Sequence, residues 1–128
     1  MVGLDTQATR PKGLYDLLID NAQINEAIQN TRVLNLDLIA SGPVPLNPSG
    51  LLNSPKITEI IEHLKSSYNV VICDGPPVLQ MSDGLVLASK LDGAILVVDL
   101  EQTSRDVLRH TKEQLYQSGV TLLGLICI

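Results

Sequence analysis

Val70-Val71-Ile72-Cys73-Asp74-Gly75-Pro76-Pro77 is the stretch that decides the fold. Four apolar residues without polar alternation predict a β-strand buried on both faces, the pattern of parallel sheets. Asp74 closes that strand, and Gly75-Pro76-Pro77 turns the chain. Upstream, Ser54 is placed to cap a helix with Pro55 at its first position. Ile57, Ile60, Ile61 and Leu64 then recur at helical spacing as one apolar stripe. Downstream, residues 82–91 predict a helix and residues 93–100 a second doubly buried strand. Thr103 can cap a further helix, with Asp106 in its first turn and Gly119 as its stop. Residues 121–128 form a last apolar strand.

The amino-terminal part is less regular. Helical signals cover residues 13–19 and 24–28, and Leu34, Leu36 and Leu38 alternate with polar neighbours in a strand over residues 33–40. Residues 41–50 hold three prolines and two glycines, which predicts a long, stiffened loop. Strands alternating with helices imply an α/β fold with parallel strands and right-handed crossovers.

Composition agrees. The 128 residues suit one domain spanning 1–128, with 45% hydrophobic and 18% charged residues. There are three Tyr and no Phe or Trp, so Leu, Ile and Val must build the core. The net charge is −5 without a basic cluster, which argues against nucleic acid as a partner. Apolar runs fall well short of the roughly 20 residues of a transmembrane helix, and no leader is apparent, so the expected setting is cytoplasmic. Cys73 and Cys127 lie in apolar runs and are expected to be buried free thiols.

Asp74 is the leading site residue. In open α/β sheets ligands bind at the carboxyl ends of strands, and a carboxylate there can hold Mg²⁺, largely through water. The plain alternative is a residue that caps the turn. The wider string decides between them, because Asp74 and Pro77 resemble the acidic-strand (Walker B) motif of the bacterial tyrosine kinases of capsule and exopolysaccharide synthesis. These are P-loop proteins related to the partitioning ATPases. Gly13-Leu14-Tyr15-Asp16-Leu17-Leu18, the proline-rich residues 41–48, Asp92-Gly93 before a Val-rich strand, and Thr103 with Arg105 are also similar to that family. Val2-Gly3-Leu4 looks like the residues that follow the family's second acidic motif.

The resemblance implies a three-layer P-loop-type parallel sheet with flanking helices. It implies ATP and Mg²⁺ as cofactors, with Asp74 as metal ligand and Asp74 and Pro77 in the nucleotide site. Asp83 matches a position near the phosphate end and is a candidate catalytic residue, or else simply a carboxylate starting a helix. The implied partners are an intact kinase subunit or a membrane-bound polysaccharide co-polymerase, which would make the protein peripheral to the inner membrane. Four features of the family are not found: no Gly-x-x-x-x-Gly-Lys-Ser/Thr and no Asp-x-Asp-x-Arg occurs, Ile128 stands where the family's base-holding Asn would be, and the family's tyrosine-rich tail is missing. The sheet is therefore expected to be incomplete, lacking the phosphate-loop strand, and the chain alone is expected to be inactive and marginally stable. Alternatives are a non-catalytic interaction module, a gene remnant, or a partitioning-type ATPase. Tyr15, Tyr68 and Tyr116 are expected to pack, His63 and His110 to lie at the surface, and Arg105 to be a solvated helix residue or a subunit contact.

Overall fold

A computed structural model describes residues 10–78 and 82–128. Val2, Gly3 and Leu4, invoked in the resemblance, lie outside the described residues. The chain divides into two compact units, Met1–Leu46 and Asn47–Ile128.

In the first unit, α1 (Leu14–Leu18) and α2 (Ile24–Ala27) precede β1 (Ile28–Asn30) and β2 (Asp37–Ile39). The start of α1 is closed by backbone: Leu14 N–H donates to Ala40 O at 2.7 Å and Tyr15 N–H to Ser41 O at 3.0 Å. These bonds satisfy donors that a helix start otherwise leaves orphaned. The approach is possible because residue 13 is glycine; a Cβ there would sit 2.6 Å from Ala40 O.

The strands of this unit differ from the sequence expectation. β1 and β2 pair antiparallel, with Ile28 opposite Ile39 and Asn30 opposite Asp37. The reason is the link between them. Thr31 Oγ1 donates to Leu36 O at 2.7 Å, and Asn35 takes φ 61°, so the chain reverses within six residues. A parallel crossover needs a dozen or more residues.

The second unit contains α3 (Pro48–Leu52), α4 (Pro55–Ser67), α5 (Ser82–Ala88), β3 (Ala94–Val98), α6 (Arg105–Gln117) and β4 (Leu122–Cys127). α3 arises inside the proline-rich stretch, because Asn47 Oδ1 accepts from Gly50 N–H at 3.0 Å and Pro48 opens the helix. α4 buries Ile57, Ile60 and Ile61, as its stripe predicts. Ser54 sits at the N-cap position, yet its hydroxyl donates backwards to Leu51 O. The cap of α6 is Ser104, one residue past Thr103, and Gly119 ends the segment at φ 72°.

β3 and β4 are parallel, pairing Leu96 with Leu125 and Val98 with Cys127. Helices and a parallel sheet give the α/β class expected from the sequence. Burial is one-sided, however. Val98 is buried, whereas Ile95 and Val97 on the opposite face are 57% and 58% exposed. Cys127 is exposed rather than buried, because little covers β4.

Residues 70–73 depart furthest from expectation. They belong to no strand, and Val70 and Ile72 are exposed while Val71 and Cys73 are half-buried. An aliphatic run carries the propensity for a strand, but a strand needs a neighbouring backbone, and no described residues pair with this one.

Candidate functional site

Asp74 follows the ribbon of residues 70–73 and is exposed. Among the described residues no group of three or more His, Cys, Asp or Glu side chains could hold a metal ion. The side chain of Asp74 is a carboxylate, a hard oxygen donor. That suits Mg²⁺, which keeps much of its water shell and commonly takes one or two protein carboxylates besides substrate phosphates. Immediately before it, burial pushes the Cys73 thiol pKa upward, which keeps that thiol in its unreactive protonated form.

The turn after Asp74 is seated on α5. A Cβ on Gly84 would lie 3.1 Å from Pro76 O, so the first turn of the helix and the Pro76 carbonyl are in close approach. Pro76 is half-buried there, while Pro77 is exposed. Asp83, in that same first turn, is only 7% exposed, and its Oδ1 accepts a hydrogen bond from Ser49 Oγ on α3. The structure thus joins three segments that are distant in sequence: the proline-rich region, the Asp74 turn and the start of α5. Ser49 was not singled out from the sequence. Its only signal there was its position after Asn47-Pro48, at a helix start.

Other candidate residues stand apart from this group. Arg105, His63 and His110 are exposed. Tyr15 and Tyr68 are half-buried, but Tyr116, expected to pack, is 85% exposed. It falls off the face of α6 that buries Thr111 and Leu115.

In the first unit a second polar cluster surrounds Asp16, whose side chain is fully buried. Arg10 grips it with two nitrogens at 2.7 and 2.9 Å, Gly13 N–H donates at 2.9 Å, and Asn21 Nδ2 lies at 3.3 Å. The Arg10 guanidinium, then the Gly13 N–H, hold the Asp16 carboxyl well below the usual carboxylate range. A bidentate Arg–carboxylate pair is strong and geometrically specific. Here every contact is internal, so the cluster orders the α1 entry.

Comparison with known proteins then decides the family. A family model described as an AAA domain matches residues 1–117. The chain belongs to the AAA domain family. Its relatives within that family are bacterial tyrosine kinases. The tyrosine-protein kinase CpsD of Streptococcus agalactiae is 36% identical over 115 residues, covering 90% of this chain and 50% of that protein. The tyrosine-protein kinase YwqD of Bacillus subtilis is 33% identical over 114 residues, covering 89% of this chain and 48% of that protein.

The solved structures that the chain resembles are tyrosine kinase domains as well. The VpsO kinase domain superposes with a TM-score of 0.86 at 31% identity, over 91% of this chain and 58% of that one. The kinase domain of the Escherichia coli tyrosine kinase ETK gives 0.83 at 29% identity, over 91% and 46%. The chain thus spans about half the length of these relatives, and 16% of the putative tyrosine-protein kinase EpsB of Ralstonia solanacearum, to which it is 36% identical over 117 residues. Among the described residues, no helix is long and apolar enough to cross a membrane.

Proposed function

We propose that this chain is the carboxyl-side part of an ATP-dependent protein-tyrosine kinase domain that regulates capsule or exopolysaccharide synthesis and export. The similarity to tyrosine kinases across nine-tenths of the chain carries the reading. Asp74 is its metal ligand, at the end of the aliphatic ribbon, and Pro77 shapes the same turn. Asp83 is held by Ser49 behind that turn, so its role is to position rather than to react. Mg²⁺, when bound, would neutralise charge on the ATP phosphates. The backbone cradle for those phosphates has to come from a segment bearing Gly-x-x-x-x-Gly-Lys-Ser/Thr, which this sequence does not contain. Residues 70–73 and the outer edge of β3 are where such a segment's strand would pair. The partner is an intact kinase subunit or a membrane-bound co-polymerase, which would hold the protein at the inner membrane from the cytoplasmic side.

The chain alone is accordingly expected to be inactive. Calorimetry tests this directly: the isolated chain should show no ATP affinity, and co-folding with the amino-terminal half of a relative such as CpsD should create it. Asp74→Asn should then remove the Mg²⁺-dependent part of that affinity. ATP binding by the isolated chain, or unchanged Mg²⁺ dependence in Asp74→Asn, would overturn the reading. The exposed aliphatic side chains of β3 and β4 favour a second reading, a non-catalytic module that docks on an intact kinase. Co-purification without any gain of nucleotide affinity would support that one instead.

A further inference from the structure

Asp74 is exposed, yet the turn that carries it rests on buried structure. Pro76 is half-buried, and its carbonyl lies against Gly84 in the first turn of α5. Gly84 is itself buried, and a Cβ on it would stand 3.1 Å from Pro76 O. That is tighter than ordinary contact, so even a methyl group there pushes the carbonyl outward by a few tenths of an ångström.

The start of α5 is fixed from its other side. Asp83, next to Gly84, is 7% exposed and accepts a hydrogen bond from Ser49 Oγ. α3 presents that hydroxyl from a stiff start: Pro48 fixes one φ, and Asn47 Oδ1 accepts from Gly50 N–H at 3.0 Å. Beyond α3, Ser54 donates its hydroxyl to Leu51 O at 2.7 Å, just before α4 buries Ile57, Ile60 and Ile61. A continuous line of contacts thus runs from the core face of α4 to the turn bearing Asp74.

An apolar contact would pack α3 on α5 at less cost, because a buried carboxylate has to be stripped of water. What the hydrogen-bonded pair adds is position, since it fixes a single geometry for the two helices. We propose that Ser49 is a positioning residue for Asp74, placing its carboxylate through Asp83, Gly84 and the Pro76 carbonyl. The inference rests on reading Asp74 as the Mg²⁺ ligand, and it gives the proline-rich segment a part in metal binding. Mg²⁺ demands near-ideal octahedral geometry at about 2.0–2.1 Å, so a displacement of a few tenths of an ångström is felt. Groups that orient a metal ligand are typically worth about 10–100-fold in affinity.

The test records amide NMR spectra of the whole chain below its melting temperature. Ser49→Ala should move the Gly75 amide resonance and leave that of Gly124 in β4 unchanged. Ser49→Thr, which keeps the hydroxyl, should leave Gly75 in place. Gly84→Ala should also move Gly75, reaching the same carbonyl without touching the hydrogen bond, so a failure of Ser49→Ala to fold does not hide the answer. A serine that merely stabilises would lower the melting temperature and leave Gly75 unmoved. In the co-folded halves, Ser49→Ala should raise the Mg²⁺ concentration needed for half-maximal ATP binding about 10-fold, a loss that vanishes in EDTA. An unmoved Gly75 in Ser49→Ala or Gly84→Ala, an equal shift in Ser49→Thr, or an unaltered Mg²⁺ requirement in Ser49→Ala would each overturn the proposal. Native co-folded halves without any Mg²⁺-dependent ATP affinity would instead sink the reading of Asp74 as metal ligand, and the Gly75 shifts then decide the positioning by themselves.

Discussion

Ser49 Oγ donates a hydrogen bond to the buried carboxylate of Asp83, tying α3 to the first turn of α5 across 34 positions of sequence. Asp83 in turn neighbours Gly84, on which the carbonyl of Pro76 rests. A carboxylate at a helix start is favoured by the exposed N–H groups and the helix dipole. Burying it is tolerable only because that hydroxyl and those N–H groups are there.

Removing the hydroxyl therefore leaves a buried acceptor short of a partner. Ser49→Ala should cost about 1–3 kcal/mol in the second unit. Urea unfolding followed by circular dichroism measures it. Asp83→Asn should cost a similar amount, and in a double mutant the two losses should not add.

Gly13 admits no side chain. A Cβ would lie 2.6 Å from Ala40 O and 2.7 Å from Gly42 N, both backbone atoms that cannot swing aside. Gly13→Ala should destabilise the first unit by about 1–3 kcal/mol, the usual cost of overpacking. The amide protons of Leu14 and Tyr15, bonded to Ala40 and Ser41, should lose protection from exchange first.

The Asp16 cluster makes the first unit acid-sensitive. Its folded carboxyl titrates well below the unfolded one, so its contribution is complete above the ordinary carboxylate pKa of about 4. That contribution is lost progressively as pH falls below that value toward the folded pKa. Thermal melts between neutral and strongly acidic pH should show a falling midpoint. In Asp16→Asn the midpoint should start lower and fall less steeply.

The ribbon of residues 70–73 is uncharged and apolar, and among the described residues it has no strand partner, which marks a segment ready to take another strand. The purified chain should associate at high concentration. Because Ile72 is 87% exposed, Ile72→Lys should change stability by no more than about 0.5 kcal/mol while suppressing association. Sedimentation velocity over a concentration series gives the answer. A monodisperse native chain at every concentration would remove the argument for an open edge.

Much of the second unit was legible because its signals are local. The Ile57, Ile60 and Ile61 stripe of α4, Pro55 at its first position and Gly119 after α6 all act within one or two turns of the residues concerned. The parallel pairing of β3 with β4 also follows locally, since a helix separates them. The hairpin of the first unit was misread, because the leucine alternation through Leu34 and Leu36 hid a turn set by Thr31 and Asn35. Of the candidate site, Asp74 was visible as a carboxylate ending an aliphatic run. Ser49 was not, since a serine announces nothing about a partner far along the chain.

The sequence by itself determined the α/β class and the helices of the second unit, because propensity, capping and periodicity are properties of neighbouring residues; the kinship of the Asp74-x-x-Pro77 turn came from its resemblance to a known motif. Only the tertiary structure decided that residues 70–73 have no strand partner among the described residues, that Asp83 is sealed by Ser49, and that Tyr116 faces water. Each of these depends on which distant backbone or side chain arrives beside it. An aliphatic run becomes a buried strand only when another strand lies along it and something covers its faces.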